Sequence, residues 1–317
     1  MPLRYAQRRK SNTYPMGRHP TCCCSQYSVD SDMSEVIVRP ATLGDVPGIN
    51  EIYRHDAEPS PWSKLEECTI VINHRLLTGI KVFVAEYNGR IVGHADYVIG
   101  CEPQPFGKTV HLSVLQVHPS FRHRGVGWLL IREGAKLGKE NGCSMLTTQP
   151  ADEAKGFYER CGFRCFLEQV KVLVRIEGTN WSGWRRVANV PHWVVGRLPL
   201  RIGRVQSSED MWLMCNRGVR IAGRFEPVHP AARSADSKAF VQLRYIDSNR
   251  SAPLVVAWAD RQVPLEDLVS AAGTLGQGRG STSLSCIIPT YEMASLITAG
   301  FDVIETGRVE FWSLDPT

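Results

Sequence analysis

Residues 81–87 and 90–99 are two apolar, β-rich runs joined by Asn88-Gly89. A two-residue connection forces the chain to double back, and Asn-Gly suits a type I′ turn because both central positions need positive φ. An antiparallel hairpin is therefore expected near the start of the fold. Around it the pattern alternates. A short strand is expected at 36–39, helices at 45–55 and 64–77, and another strand at 110–117. A helix should then run from about Gly125 to Asn141, with Val126, Leu129, Leu130 and Leu137 on one side and Gly142 closing it. A strand at 145–148 leads into a short helix carrying Ala154, Phe157, Tyr158 and Cys161 at i, i+3, i+4 and i+7. Gly162 is its C-cap, and 163–176 supplies the final strands. The fold class this predicts is α+β, a three-layer α/β/α arrangement around a mixed, largely antiparallel sheet.

At 317 residues and 43% hydrophobic, the chain can build two compact domains or one large one. No apolar run approaches the roughly 20 residues that span a bilayer, and no signal-like apolar stretch follows the basic start. The expectation is a cytoplasmic protein with no membrane partner. Of the net charge of +5, residues 1–33 carry +3, because Arg4, Arg8, Arg9, Lys10 and Arg18 face only Asp30 and Asp32. The +2 that remains gives no reason to invoke nucleic acid. Ten cysteines include contiguous Cys22, Cys23 and Cys24, but no Cys-x-x-Cys pair, so zinc-ribbon and thioredoxin readings fail. No metal site is expected, and the thiols outside the tail should be reduced. Residues 1–33 read as a disordered basic tail. Met33 opens Met-Ser-Glu-Val-Ile-Val like a start of its own, so 1–32 should be dispensable.

The boundaries read from the sequence are 34–177 for a first domain, 178–236 for a linker or arm, and 237–317 for a second domain. In the arm, Trp181, Trp184, Trp193 and Trp212 sit among Arg185, Arg186, Arg197, Arg201 and Arg204. Such interleaving can bind nucleic acid, but an arm with packed tryptophans and solvated arginines is the simpler expectation. Beyond residue 240 a repeat emerges. Gly300-Phe301 answers Gly162-Phe163 at an offset of 138, and at that offset 126–137 falls on 264–275, 146–148 on 284–286, and 163–174 on 301–312. Residues 239–246 and 253–258 read as earlier strands of this second unit.

The segment with most chemistry is Val117-His118-Pro119-Ser120-Phe121-Arg122-His123-Arg124-Gly125-Val126-Gly127, which follows a strand and opens a helix. Two glycines permit close backbone approach, the helix start favours an anion, and Arg122 and Arg124 add charge suited to a pyrophosphate. It is not a Walker A loop, having no Gly-Lys-Ser/Thr, nor a dinucleotide fingerprint, lacking the third glycine. Alone, the same residues could equally be a tight strand–helix turn.

Together with Arg39-Pro40-Ala41-Thr42-x-x-Asp45, the hairpin from Val84 to Ala95, and Ala154-x-x-Phe157-Tyr158-Glu159-Arg160-Cys161-Gly162-Phe163, this loop resembles the GNAT acetyltransferase superfamily over roughly residues 35–176. The resemblance implies acetyl-CoA as co-substrate. Its pantetheine would pair with the backbone of Leu115, Gln116 and Val117, and its diphosphate would be held by Arg122, His123, Arg124, Gly125, Val126 and Gly127. A backbone N–H near Val117 would polarise the thioester. Tyr158 matches the tyrosine that protonates the leaving thiolate. A phenol near 10 giving its proton to a thiolate near 8.5 is uphill by about 1.5 pH units, roughly 2 kcal/mol. A general base is also needed, and His111 stands where relatives often place one, with Glu86 and Asp96 as weaker candidates. One departure is Ala151, where many relatives carry an asparagine.

The second unit lacks the grip. Asp260-Arg261-Gln262-Val263-Pro264-Leu265 replaces the loop, Pro264 removes a donor, Glu266 and Asp267 add negative charge, and Leu296 stands in for Tyr158. It reads as a degenerate copy that buttresses the acceptor cleft or forms a homodimer. The expected function is N-acetyl transfer to a primary amine of a small molecule or peptide, within a ternary complex. The alternative is a non-catalytic acyl-CoA-binding module that engages a protein or nucleic acid.

Overall fold

The computed structural model describes residues 36–54, 60–176, 181–218, 229–245 and 251–315. The basic tail and its three cysteines lie outside the described residues. The first unit runs β1 (Ile37–Pro40), α1 (Val46–Tyr53), α2 (Leu65–Leu77), β2 (Lys81–Tyr87), β3 (Arg90–Glu102), β4 (Gly107–Val117), α3 (Val126–Glu140), β5 (Met145–Thr148), α4 (Lys155–Arg160) and β6 (Arg164–Arg175). Asn88 and Gly89 both have positive φ, 50° and 74°, as the expected hairpin turn requires. Arg39, in the opening motif, bridges Asp45 at 2.7 Å and Glu86 at 2.7 Å, so that motif fastens β1 to the loop before α1 and to β2.

The second unit follows as β7 (Trp184–Val187), α5 (Trp193–Arg197), β8 (Leu200–Ile202), α6 (Ser208–Asn216), β9 (Ala231–Ser234), β10 (Ala239–Arg244), β11 (Leu254–Ala259), α7 (Leu265–Gln277), β12 (Ser283–Pro289), α8 (Thr290–Thr298) and β13 (Val303–Leu314). β5, α3 and β6 recur as β12, α7 and β13 at the offset read from the repeat. The stretch 178–236 is no detached linker, because β7 and β9 extend the sheet by pairing with each other and β9 pairs with β10. Trp212, on α6, is core.

Among the described residues the 13 strands form one sheet, in the order β1-β2-β3-β4-β5-β13-β6-β12-β11-β10-β9-β7, with β8 attached to β11. The β4–β5 and β11–β12 pairs are parallel and the others are antiparallel. At the centre the units exchange their last strands. β13 of the second unit lies between β5 and β6 of the first, while β6 lies against β12 of the second. Residues 163–176 were expected to supply more than one strand. They hold no turn-forming residue, so they make one long strand whose partner comes from the chain's end.

α3 and α4 cover one face of the first unit through Val126, Leu130, Ile131 and Tyr158. On the other face α1 and α2 share a single core with α5 and α6 of the second unit. α7 and α8 cover the second unit's sheet. Close contact seats α3: a Cβ at Gly134 would lie 2.3 Å from the Tyr97 ring, whose hydroxyl donates to the Leu130 carbonyl at 2.7 Å. A buried ion pair joins the units. Arg204 donates to Glu102 at 3.1 Å, the Ser208 N–H at the start of α6 donates to the same carboxylate at 2.9 Å, and the Arg204 guanidinium lies 4.2 Å from the Phe106 ring. Arg201 pairs with Glu292. These two arginines, expected in solvent, are therefore structural, because each meets a carboxylate from another element.

Candidate active site

A cleft of about 900 Å³ opens where β4 and β5 part. Their ladder runs from Thr109↔Met145 to Leu112↔Thr148 and stops there, whereas β4 stays paired with β3 as far as Gly93↔Val117. Beyond Leu112, β4 therefore has no strand along its β5 side. A bulge at Ser113, between the Tyr97↔Leu112 and Asp96↔Val114 pairs, sets its phase. The His118 N–H donates to the Val92 carbonyl of β3 at 2.9 Å, so strand alternation turns the backbone groups of Leu115 and Val117 to the open side. Arg122 Nε, donating to the Val117 carbonyl at 3.1 Å, holds the loop against that edge. Leu115, Gln116 and Val117 all line the cleft.

The opposite end of the cleft is the start of α3. Gly125 caps the helix at φ 88° without a side-chain cap, and His123 also has positive φ, 62°. Arg122, His123, Gly125, Val126 and Gly127 line the cleft here. Uncapped N–H groups, the positive end of the helix dipole and two cationic or polar side chains make a site for a phosphate-bearing chain. Arg124 is the exception in the expected set. Its guanidinium packs 5.5 Å from the centre of the Phe121 ring and does not line the cleft. It contributes charge rather than contact. Among the described residues no group of three metal-ligating side chains occurs.

Between these ends stands Tyr158, on α4, with its ring edge-on to Phe157 and Phe163. Burial pushes its phenol up to about 12, opposed by a hydrogen bond with Thr148. Thr148 in turn donates to the Leu112 carbonyl at 3.1 Å. The phenol is therefore protonated, oriented from the last paired residues of β4 and β5, and presented to the point where the strands part. Ala151 also lines the cleft, offering no polar group there.

The expected bases fall elsewhere. His111 is fully buried, with Nδ1 bonded to Thr147 at 2.9 Å and Nε2 bonded to Gln206. It faces a small cavity with Glu102 and Arg204 instead of the cleft, and burial lowers its pKa. The physical reason is that β4 and β5 are still paired at His111↔Thr147, before the strands part. Glu86 is held by Arg39 on β1. Asp96 is fully buried between His94, at 2.9 Å, and Arg75, at 3.0 Å. None of the three lines the cleft.

One pair was invisible to sequence reasoning. Ser113, in the cleft wall, donates to the Asp210 carboxylate of α6 at 2.7 Å, across 97 positions of chain. No periodicity or motif links them.

The second unit's equivalent opening is filled by the chain itself. β11 and β12 pair in parallel at Leu254↔Ser285. β8 then lies antiparallel to β11, at Ala257↔Ile202 and Trp258↔Leu200, and the Gly203 N–H donates to the Ile287 carbonyl of β12 at 2.9 Å. A Cβ at Gly203 would sit 2.0 Å from the Val255 carbonyl oxygen. With α7 begun by Pro264 and Leu296 fully buried in place of the phenol, the described residues leave no gap between β11 and β12 and put no phenol at that point.

In the first unit a splayed parallel strand pair, a bulged strand and an uncapped glycine-bearing helix start come together, and the second unit repeats the element order without them. A putative acetyltransferase from Pyrococcus horikoshii superposes with a TM-score of 0.56 at 14% identity, over 89% of this chain and 90% of its own. A tandem GNAT protein of the clavulanic acid biosynthesis pathway does so at 0.52 and 16%, over 89% of this chain and 99% of its own. Residues 49–163 match the model of the acetyltransferase (GNAT) family. The glucosamine 6-phosphate N-acetyltransferase of Trypanosoma brucei brucei is 30% identical over 145 residues, 45% of this chain and 98% of that protein. The chain belongs to the GNAT family and is an N-acetyltransferase.

Proposed function

We propose that the first unit transfers the acetyl group of acetyl-CoA directly to the primary amine of a small acceptor, one molecule of acetyl-CoA serving each chain. The observation that carries this reading is the side of β4 past Leu112 that has no partner strand, running from near Tyr158 towards the start of α3. An extended pantetheine arm satisfies such an edge as a strand would, while the helix start and Arg122 take the diphosphate. A free N–H on the edge is aimed where the thioester oxygen gains charge.

In the reaction the amine lone pair attacks the thioester carbon, the C–N bond forms and the C–S bond breaks. Tyr158 gives its phenolic proton to the departing thiolate sulfur and recovers one as the nitrogen sheds a proton, so neutral amine and acetyl-CoA become amide and free thiol with no net proton released. Burial that pushes Tyr158 up to about 12 does not make it a poor acid here. The burial that raises Tyr158 disfavours a thiolate formed beside it as well. Likeness to the glucosamine 6-phosphate enzyme favours a small-molecule amine over a protein amine.

The test is acetyl-CoA binding by calorimetry alongside thiol release with a panel of amines. Tyr158→Phe should lower kcat about 100-fold, within the range for a lost general acid, and leave acetyl-CoA affinity within twofold. Tight binding with no turnover on any amine would overturn the reading.

A further inference from the structure

A second cavity, of about 210 Å³, lies between α2 of the first unit and α6 of the second. Trp62, His74, Arg75, Asp210, Met214 and Arg244 are among its lining. We propose that this cavity is the acceptor pocket and that it takes a small primary amine carrying an anionic group. The ammonium is received by Asp210 and the anion by Arg75 and Arg244. The proposal rests on the acetyltransferase reading of the cleft and adds to it the substrate class and the second unit's part in the site.

Position is the first ground. Asp210 belongs to the cavity wall, and its carboxylate accepts from Ser113 at 2.7 Å, while Ser113 belongs to the wall of the acetyl-CoA cleft. A single hydrogen bond thus separates the two spaces, at the bulge where β4 and β5 part. An amine held by Asp210 lies on the side of the sheet opposite α3 and α4, facing the thioester across the strand opening.

Charge is the second ground. Asp210 is almost wholly buried, and so needs a counter-charge or donors beyond the one serine. Arg75 shares the same wall. Its Nε faces Asp96 at 3.0 Å, its guanidinium lies 5.3 Å from the Trp62 ring, and its Nη1 is buried with no hydrogen-bond acceptor among the described residues. Asp96 is itself fixed by His94, and His94 Nδ1 bonds with the Tyr53 hydroxyl at 2.8 Å, so the arginine is held from behind by a buried chain of partners. Arg75 thus puts a guanidinium in the cavity wall, a group that pairs well with a carboxylate or phosphate. A ligand with a cation at one end and an anion at the other answers both charges.

Matched amines separate the possibilities: glucosamine 6-phosphate against glucosamine, and an amino acid against its amide. Each is assayed for thiol release with the full chain, Asp210→Asn, Arg244→Met and Arg244→Lys. Calorimetry of each amine and of acetyl-CoA is run in parallel. In at least one pair the anionic member should have kcat/KM tenfold or more above its neutral twin. Arg244→Met should bring that ratio near one, and Arg244→Lys should restore part of it. Asp210→Asn, which still accepts from Ser113, should lower kcat/KM about 100-fold for every amine while acetyl-CoA affinity and the melting temperature hold. Equal rates within every pair, or an Asp210→Asn variant with unchanged kcat/KM, would overturn the proposal. Failure of acetyl-CoA to bind the full chain would instead sink the acetyltransferase reading of the cleft. Binding of the anionic amine, and its loss in Arg244→Met, would still report on the pocket.

Discussion

Tyr158 works through its neighbours. Phe157 and Phe163 exclude water from its ring, Thr148 fixes its hydroxyl, and Leu112 anchors Thr148. Thr148→Val keeps the shape but removes the link, so the phenol loses its aim. Removing one such bond costs about 1 to 1.5 kcal/mol, roughly a tenfold fall in kcat, with acetyl-CoA affinity unchanged by calorimetry. The raised pKa gives a second expectation. A group held at about 12 stays protonated well above the ordinary tyrosine range, so kcat should show no falling limb attributable to Tyr158 between pH 7 and 10. A limb in that window that vanishes in Tyr158→Phe would contradict this. The helical spacing of Ala154, Phe157, Tyr158 and Cys161 made the tyrosine legible in the sequence. Thr148 and Asp210 were not, because their roles depend on contacts between distant elements. The placing of His111 away from the cleft was not legible either, because the point where two strands part leaves no mark in the pattern of side chains.

The elements of the first unit were legible almost to their ends, since each carries its own period and punctuation. The short β8 was not, having only three residues and a function that exists only between β11 and β12. Its place shows how the second unit differs from the first: a strand of the chain lies along the edge that the first unit leaves open. Gly203 makes this possible, with φ 84° and the Val255 carbonyl where a side chain would go. Gly203→Ala should therefore destabilise the protein by about 3 kcal/mol or more, combining left-handed strain with a backbone clash, read as a lower urea midpoint. Gly125 is the contrast. Its φ is 88°, but a Cβ there meets nothing within 4 Å, so Gly125→Ala costs only conformational strain, about 1–2 kcal/mol. It should weaken acetyl-CoA binding more than it lowers the unfolding midpoint, because it reshapes the start of α3.

At the scale of the molecule, the repeat was visible in the sequence but the exchange was not. Two similar units could have lain side by side with their own closing strands. Instead β6 and β13 cross, and each serves the other's sheet. Neither half is then complete alone. A fragment ending at residue 177 would leave β5 with a bare edge, strip β6 of both neighbours and open the core shared by α1, α2, α5 and α6. It would also bury Glu102 without Arg204, or expose it with the surface around it. Breaking a buried ion pair from one side alone costs about 3–5 kcal/mol, a large part of a domain's stability. Residues 34–177 expressed alone should therefore be insoluble or unfolded by circular dichroism, and expressed together with 178–317 they should recover a folded, active complex. A soluble, cooperatively melting 34–177 fragment would show that the exchange is dispensable. If that fragment also acetylated amines at the full chain's rate, Asp210 could have no part in the acceptor site, so one experiment tests the architecture and the pocket together.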